Sequence, residues 1–280
     1  MYKRQLQTYG LTLDATTGEI TGTPNQATSS GGVTITIEVT DANNKTAQAD
    51  FTLVIYPELR ITTTSLPDGY EGQTGYSATL TATGGTGTYT WSLTGGNLPA
   101  NLSWDAATAT ISGDIASNAS ASSPYNISVE VTDGMQTVTA NLTLTVYAQL
   151  QITTTALPDG YDGQVGYSVT LAATGGTGTY TWRMTSGRLP LNLRWDAATA
   201  TISGDIASNA SANSPYNISI EVTDGQQTVQ ANFSITVWQQ LQITTTSLDD
   251  ATEGVAYSYT VTASGGNSSS YNWSVSGQPS

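Results

Sequence analysis

The 280-residue sequence contains no cysteine and no histidine, and after Lys45 it contains no lysine. Without cysteine there are no disulfides, and with histidine also missing the usual zinc ligands are gone, so stability has to come from packing. Nucleophile–base pairs of the Ser–His, Cys–His or Ser–Lys kind cannot be assembled beyond residue 45. Only Lys3 and Lys45 could take part in a Lys-to-Asn isopeptide staple. Positive charge is scarce, with 7 Lys+Arg against 21 Asp+Glu and a net charge of −14. Such a chain repels phosphate backbones and anionic lipid, which excludes nucleic acid as a partner. No apolar run approaches the roughly 18 to 20 residues of a membrane span, and no charged start followed by an apolar run stands at Met1. Direct membrane insertion is therefore not expected. The Thr-rich, Lys-poor texture suggests an extracellular or cell-surface location, with any export signal outside these residues. The opening Met1-Tyr2-Lys3-Arg4-Gln5 reads as a non-native start.

What is present is repetition. ITTTSLPDGYEGQTGYSATLTATGGTGTYTWSL begins at Ile61 and returns as ITTTALPDGYDGQVGYSVTLAATGGTGTYTWRM at Ile152; its start returns again as ITTTSLDDATEGVAYSYT at Ile243. Trp91, Trp182 and Trp273 are separated by 91 residues each time, as are Asp14, Asp105 and Asp196. A fixed period of this length is the mark of strung domains. The expected organisation is the second half of a domain at 1–57, complete domains at 58–148 and 149–239, and the first half of a domain at 240–280. The chain would thus be a fragment of a longer repeat protein, or its two halves would complete one another between molecules.

Within one repeat every local signal is β. Short runs of Thr, Val, Ile and Tyr alternate apolar with polar, and clusters of Gly, Asp, Asn and Pro separate them. Strands are expected at 60–64, 76–83, 88–93, 109–112, 125–132 and 137–147, each with one buried and one wet face. No stretch has a helical period. The Gly84-Gly85-Thr86-Gly87 turn supplies the positive φ that tight connections require. Six or seven strands with a tryptophan on the third fit an immunoglobulin-like antiparallel sandwich, lacking the disulfide that often accompanies it, with Trp91, Trp182 and Trp273 at the core centres.

The LPDG start, the GGTG.Y.WSL centre, the D..T..ISG turn and the V.VTDG…L.V ending between Leu66 and Val146 resemble the immunoglobulin-like and dystroglycan-type cadherin-like repeats of large secreted surface proteins. The resemblance implies an all-β chain of tandem sandwiches, beads on a string, and invites calcium. Oxygen ligands for a hard cation could come from Asp41 and Asn43, from Asp68 and Glu71, or from Asp133. Asp-Gly and Asp-Ala-Asn are also plain turn formers.

Other chemistry is thin. Two facing carboxylates would make a glycosidase, but Asp68, Glu71, Asp105, Asp114, Glu130 and Asp133 fall mostly in turns repeated from bead to bead. Trp104 and Trp195 are the aromatics to inspect for carbohydrate stacking, with core packing the first expectation. Ten Asn-x-Ser/Thr sequons occur, at Asn44, Asn101, Asn118, Asn126, Asn141, Asn209, Asn217, Asn232, Asn267 and Asn272, against about four expected by chance. An Asn/Thr-rich acidic surface is the competing explanation. Asn126 and Asn141 fall on the polar phase of their strands, where a glycan would point into water.

These features point to a non-enzymatic structural segment of an extracellular filament, stalk or adhesin, without cofactor unless calcium binds, whose partners include copies of itself. A surface-displayed carbohydrate- or protein-binding module, or a spacer beside an enzyme elsewhere, is the alternative.

Overall fold

A computed structural model describes residues 3–267 and 271–277. The Met1-Tyr2 opening and residues 268–270 and 278–280 of the expected last segment lie outside the described residues. The chain divides into two compact units, Met1–Tyr147 and Ala148–Ser280.

In the first complete repeat the strict alternation of Tyr125–Thr132 settles the fold. Ile127, Val129 and Val131 are essentially buried, while Asn126 is exposed. This strand is the middle of a three-stranded antiparallel sheet, flanked by Thr137–Leu144 and Thr90–Gly96. Its register places Trp91 opposite Val131 and Leu142 opposite Ile127. A one-residue slip would turn the whole apolar set to water, so burial fixes the register. A second three-stranded sheet, in the order Leu102–Asp105, Thr110–Gly113, Tyr76–Thr79, supplies the facing layer. Tyr76, Ala78 and Ile111 from one sheet and Trp91, Val129 and Leu144 from the other form one core. Two sheets closed over a common apolar layer make a sandwich.

The second repeat reproduces this strand for strand: Thr181–Gly187, Tyr216–Thr223 and Thr228–Ile235 form one sheet, and Tyr167–Thr170, Thr201–Gly204 and Arg194–Asp196 the other. Its core holds Trp182, Ile202, Ile220 and Ile235 and shares no residue with the first.

Several local expectations change. The stretch expected as one strand over 76–83 breaks after Thr79, and Ala82–Thr83 pairs instead with Arg60–Ile61 beside Thr137–Leu144. The chain changes sheets at Leu80, which points into the core. The last strand breaks at Thr145, after which Val146–Tyr147 runs parallel to Gly69–Tyr70. Short helical turns, Lys3–Thr8, Ala119–Ser122 and Ala210–Asn213, are too brief to carry a period of 3.6.

The outer segments carry parts of the same plan. Leu11–Leu13 pairs with Ile20–Gly22, and Val33–Thr40 with Thr46–Leu53, over a small core of Leu6, Leu11 and Ile35. Near the other end Gln242–Ile243 pairs with Ala263–Ser264. Trp273 does not take the core position expected of it. Whereas Trp91 is 7% exposed, Trp273 is 52% exposed, because no strands equivalent to Tyr125–Thr132 and Thr137–Leu144 lie against it among the described residues.

Candidate functional site

The densest polar construction in each repeat is built on one aspartate. Asp133 follows the central strand, and its carboxylate accepts from the backbone N–H of Gln136 (2.6 Å), Thr86 (2.8 Å) and Met135 (2.9 Å). Asp224 does the same with Gln227, Thr177 and Gln226. Gly85 makes room for it: φ is +57°, and a Cβ there would fall on the Asp133 carboxylate. The adjoining glutamine completes the construction. Gln227 is buried; its Oε1 accepts from the Leu150 N–H at 2.9 Å and its amide donates to the Ala148 carbonyl at 3.2 Å. Gln136 holds Leu59 and Pro57 likewise. Aspartate and glutamine thus tie the central hairpin to the segment with which the repeat begins.

The electrostatics follow from these bonds. The backbone N–H of Gln136, with those of Met135 and Thr86, holds the Asp133 carboxyl below its ordinary value. At Asp224 burial pushes upward, but the hydrogen bonds from Gln227, Gln226 and Thr177 outweigh it and the net direction is down. Asp14, Asp105 and Asp196 are also lowered, Asp14 chiefly by the Thr17 N–H and the other two chiefly by the hydroxyls of Thr108 and Thr199. A lowered folded-state pKa contributes stability that is present above the unfolded value and lost as pH falls through the folded one. The melting temperature is therefore expected to hold from neutral pH down to about pH 4, near the ordinary value of an aspartate in an unfolded chain, and to decline below it. Asp133→Asn combined with Asp224→Asn should flatten that acid decline in a pH series of thermal melts. An unchanged decline would assign it to other carboxylates.

The remaining sequence-derived candidates are occupied by turn chemistry. Asp41 accepts from the N–H groups of Asn43 and Lys45, Glu71 from the N–H and hydroxyl of Ser120, and Asp68 from the Tyr147 hydroxyl at 3.4 Å. Asp105 caps its own turn at Ala107 and Thr108, and Asp114 accepts from the Gly75 N–H. Glu130 stands on the wet face of its strand. Among the described residues no three carboxylates gather as a cation site. Trp104 and Trp195 lie half-buried and packed against the cores, each with its indole N–H enclosed and unpaired.

All ten sequon asparagines are exposed. Those at Asn126 and Asn141 form a crossed pair that sequence reading did not anticipate. Asn126 stands opposite Thr143 and Ser128 opposite Asn141. The Thr143 hydroxyl donates to Asn126 at 2.9 Å and the Ser128 hydroxyl to Asn141 at 2.7 Å. Each sequon's hydroxyl residue therefore bonds the other's asparagine. The second repeat keeps the arrangement in Ser219 to Asn232, 2.6 Å. The clue was the shared phase of two sequons on neighbouring strands, legible only once the register was known.

Two facing sheets, a tryptophan at the centre and repetition on one period define a tandem immunoglobulin-like sandwich protein. The chain belongs to the family described as Putative Ig domain, which it matches at residues 9–56, 59–147 and 150–238. Tandem domains of this class are typical of extracellular adhesion or structural proteins, and the fold is usually without enzyme activity. Solved structures similar to it include Drosophila OTK extracellular domains 3-5, at 14% identity and a TM-score of 0.46 over 82% of this chain and 78% of that one. The titin I-band fragment I67-I69 is similar at 10% identity and a TM-score of 0.44, over 68% of each chain. Protocadherin Gamma B2 extracellular cadherin domains 3-6 are similar at 14% identity and a TM-score of 0.36, over 82% and 67%. No curated protein matches the chain. No helix among the described residues is long and apolar enough to cross a membrane.

Proposed function

We propose that the chain is a structural segment of an extracellular filament, stalk or surface adhesin, without enzyme activity, whose repeats add length and whose exposed sheet faces carry N-linked glycans. The observation that carries this reading is the pair of complete, separate cores built from equivalent residues in the same register. A spacer needs copies, whereas a binding site needs one distinctive surface. The junctions support it. The Tyr147 carbonyl accepts from the Glu71 N–H within one repeat, and the Ala148 carbonyl accepts from the Gly176 N–H within the next. Each end of the short connection is thus bonded to its own repeat. The turn carboxylates are engaged in hydrogen bonds that hold turns and segments of their own repeat, Glu71 with Ser120 and Asp133 with Gln136 and Thr86, which supports the absence of catalysis.

Expression of the full chain through a eukaryotic secretory pathway, followed by glycopeptide mass spectrometry, tests the surface assignment. Occupancy is expected at Asn126, Asn141, Asn217 and Asn232. Small-angle scattering on the same material should give dimensions that grow with the number of complete repeats when one is deleted. Empty sequons would remove the glycoprotein reading, and dimensions unchanged by the deletion would remove the spacer.

A further inference from the structure

The two complete repeats share one fold, so the positions where their side chains differ mark what that fold does not demand. Between residues 61–147 and 152–238 they differ at 19 of 87 positions, and six of the 19 fall within the twelve residues 92–103 and their counterparts 183–194. The only changes of charge lie there. Ser92, Asn97 and Ser103 give way to Arg183, Arg188 and Arg194, and Ala100 to Leu191. In a chain with 7 Lys+Arg and a net charge of −14, three arginines in twelve residues gather positive charge against the general field.

The scaffold beneath them is the same in both repeats. Thr181–Gly187 is the outer strand of one sheet and Arg194–Asp196 the outer strand of the other, as are Thr90–Gly96 and Leu102–Asp105 in the first repeat. The link between them is held alike. The Leu193 N–H donates to the Pro190 carbonyl at 3.1 Å and the Ala207 N–H to the Leu191 carbonyl at 3.3 Å; Leu102 to Pro99 and Ala116 to Ala100 are the counterparts, at 3.1 and 3.4 Å. All three arginines are exposed, as are Asn97 and Ser103, so exposure belongs to this border of the repeat. Arg183 donates to the Glu221 carboxylate at 2.8 Å, neutralising a charge that in the first repeat, as Glu130, stands opposite Ser92. Asp196 is engaged by its own turn, where it accepts from the Ala198 N–H and the Thr199 hydroxyl. Among the described residues the guanidiniums of Arg188 and Arg194 have no hydrogen-bond or ion-pair partner. The border offers two free guanidiniums and a third that is paired yet 68% exposed.

Charge on an outer strand often serves to keep other chains from pairing with it. That use does not account for these arginines: Thr90–Gly96 equally lacks a second ladder partner and carries no charge, and Arg188 stands in the link, outside either strand. A guanidinium grips an oxyanion through two parallel N–H donors. Arg183 lies four residues before Gly187, about 13 Å at about 3.3 Å per residue, so the array is too long for one small anion and suits an extended one. A protein partner would need an apolar centre to its interface, and Leu191 is the one large apolar side chain exposed between 183 and 194. A single-stranded nucleic acid would need aromatic faces for its bases, and no exposed residue of this stretch is aromatic. Thr185, Ser186 and Asn192 are exposed among the arginines and supply the hydroxyl and amide groups that bond to sugar hydroxyls.

We propose that Arg183, Arg188 and Arg194 form a binding border for a linear acidic polysaccharide, whose carboxylate or sulfate groups meet the guanidiniums. The surface belongs to the second repeat alone, so it goes beyond the reading of the repeats as spacers.

Titration calorimetry of the full chain, produced without glycans, tests it against a heparin octasaccharide, an octagalacturonate and uncharged dextran. Binding of the sulfated or the carboxylated oligosaccharide at one site per chain is expected, weakening as salt rises because counterions are released from the ligand, with no binding of dextran; the stronger of the two names the anionic group. Combined Arg183→Ser, Arg188→Asn and Arg194→Ser, which install the residues of the first repeat, should weaken binding at least about tenfold while the melting temperature is unchanged. The reverse transfer, Ser92→Arg, Asn97→Arg, Ala100→Leu and Ser103→Arg, should raise the count to two sites per chain. Failure of both charged oligosaccharides to bind, equal binding by the triple variant, or a transfer that adds no site would overturn the proposal. So would equally tight binding of a glutamate octapeptide or a DNA octamer, which would make the border a general anion surface.

Discussion

Trp182→Ala is expected to destabilise the second complete repeat by about 3–5 kcal/mol, the range for truncating a buried tryptophan, while the transition of the first repeat stays where it is. Trp182 is nearly buried and stands opposite Val222 in the central sheet, at the point where the two sheets face each other. Deleting the indole leaves a void that neighbouring Ile220, Val222 and Ile235 cannot fill without leaving their ladder positions. A domain of this size has a total stability of about 5–15 kcal/mol, so the loss removes a large share of it. At about 4 °C or more per kcal/mol for a 60–100-residue domain, its melting temperature should fall by about 12 °C or more. Because the two cores have no residue in common, calorimetry of the variant should split into two transitions, one unmoved. A single transition that moves as a whole would show that the repeats unfold as one cooperative body. Trp91→Ala should give the mirror result. The same substitution at exposed Trp273 should leave both complete repeats unmoved.

The large features were legible because they rest on period and alternation. Near-identical copies 91 residues apart fix the number of cores, and the alternation of Ile127, Val129 and Val131 fixes which face of the central strand is inside. The strand Leu102–Asp105 is not legible locally because it is short and half-exposed. Its partner strand decides that Trp104 packs inward, and strand partners are not written in local sequence. Trp273 was misplaced for the converse reason: repetition predicts a residue's role only where the strands that cover it are also present. Asp133 carries two readings in the sequence, turn former and cation ligand, because Asp-Gly turns and cation sites draw on the same residues. Its bonds from the backbone N–H groups of Gln136, Thr86 and Met135 become visible only in the folded chain, because Thr86 is 47 residues away in sequence. Gln136 and Gln227 carried no signal at all, since their partners lie 77 and 79 residues away.

The diglycine of each repeat separates two explanations that the sequence left merged, and Gly175→Ala tells them apart. Positive φ alone would make Gly175 and Gly178 equivalent, since they sit at +79° and +84°. Their surroundings differ. A Cβ at Gly178 meets nothing within 4 Å, whereas one at Gly175 would fall on the carbonyl of Gln149, in the segment with which the repeat begins. Gly178→Ala is thus expected to cost about 1 kcal/mol, the lower end for a non-glycine residue held in the left-handed region. Gly175→Ala adds to that a clash with backbone that cannot rotate away, for a total of about 3 kcal/mol or more. The extra loss has a specific location. Relief of the clash means lifting residues 148–150 off the repeat, which breaks the bonds from the Gly176 N–H to the Ala148 carbonyl and from the Leu150 N–H to Gln227. In hydrogen exchange the Leu150 and Gly176 amides of the Gly175→Ala chain should lose protection, while those of Tyr216–Thr223 keep theirs apart from the global change. Equal effects of the two alanines would mean that φ alone governs the turn. The expected inequality would show instead that the first glycine of each pair is there to let the start of the repeat lie against its own domain.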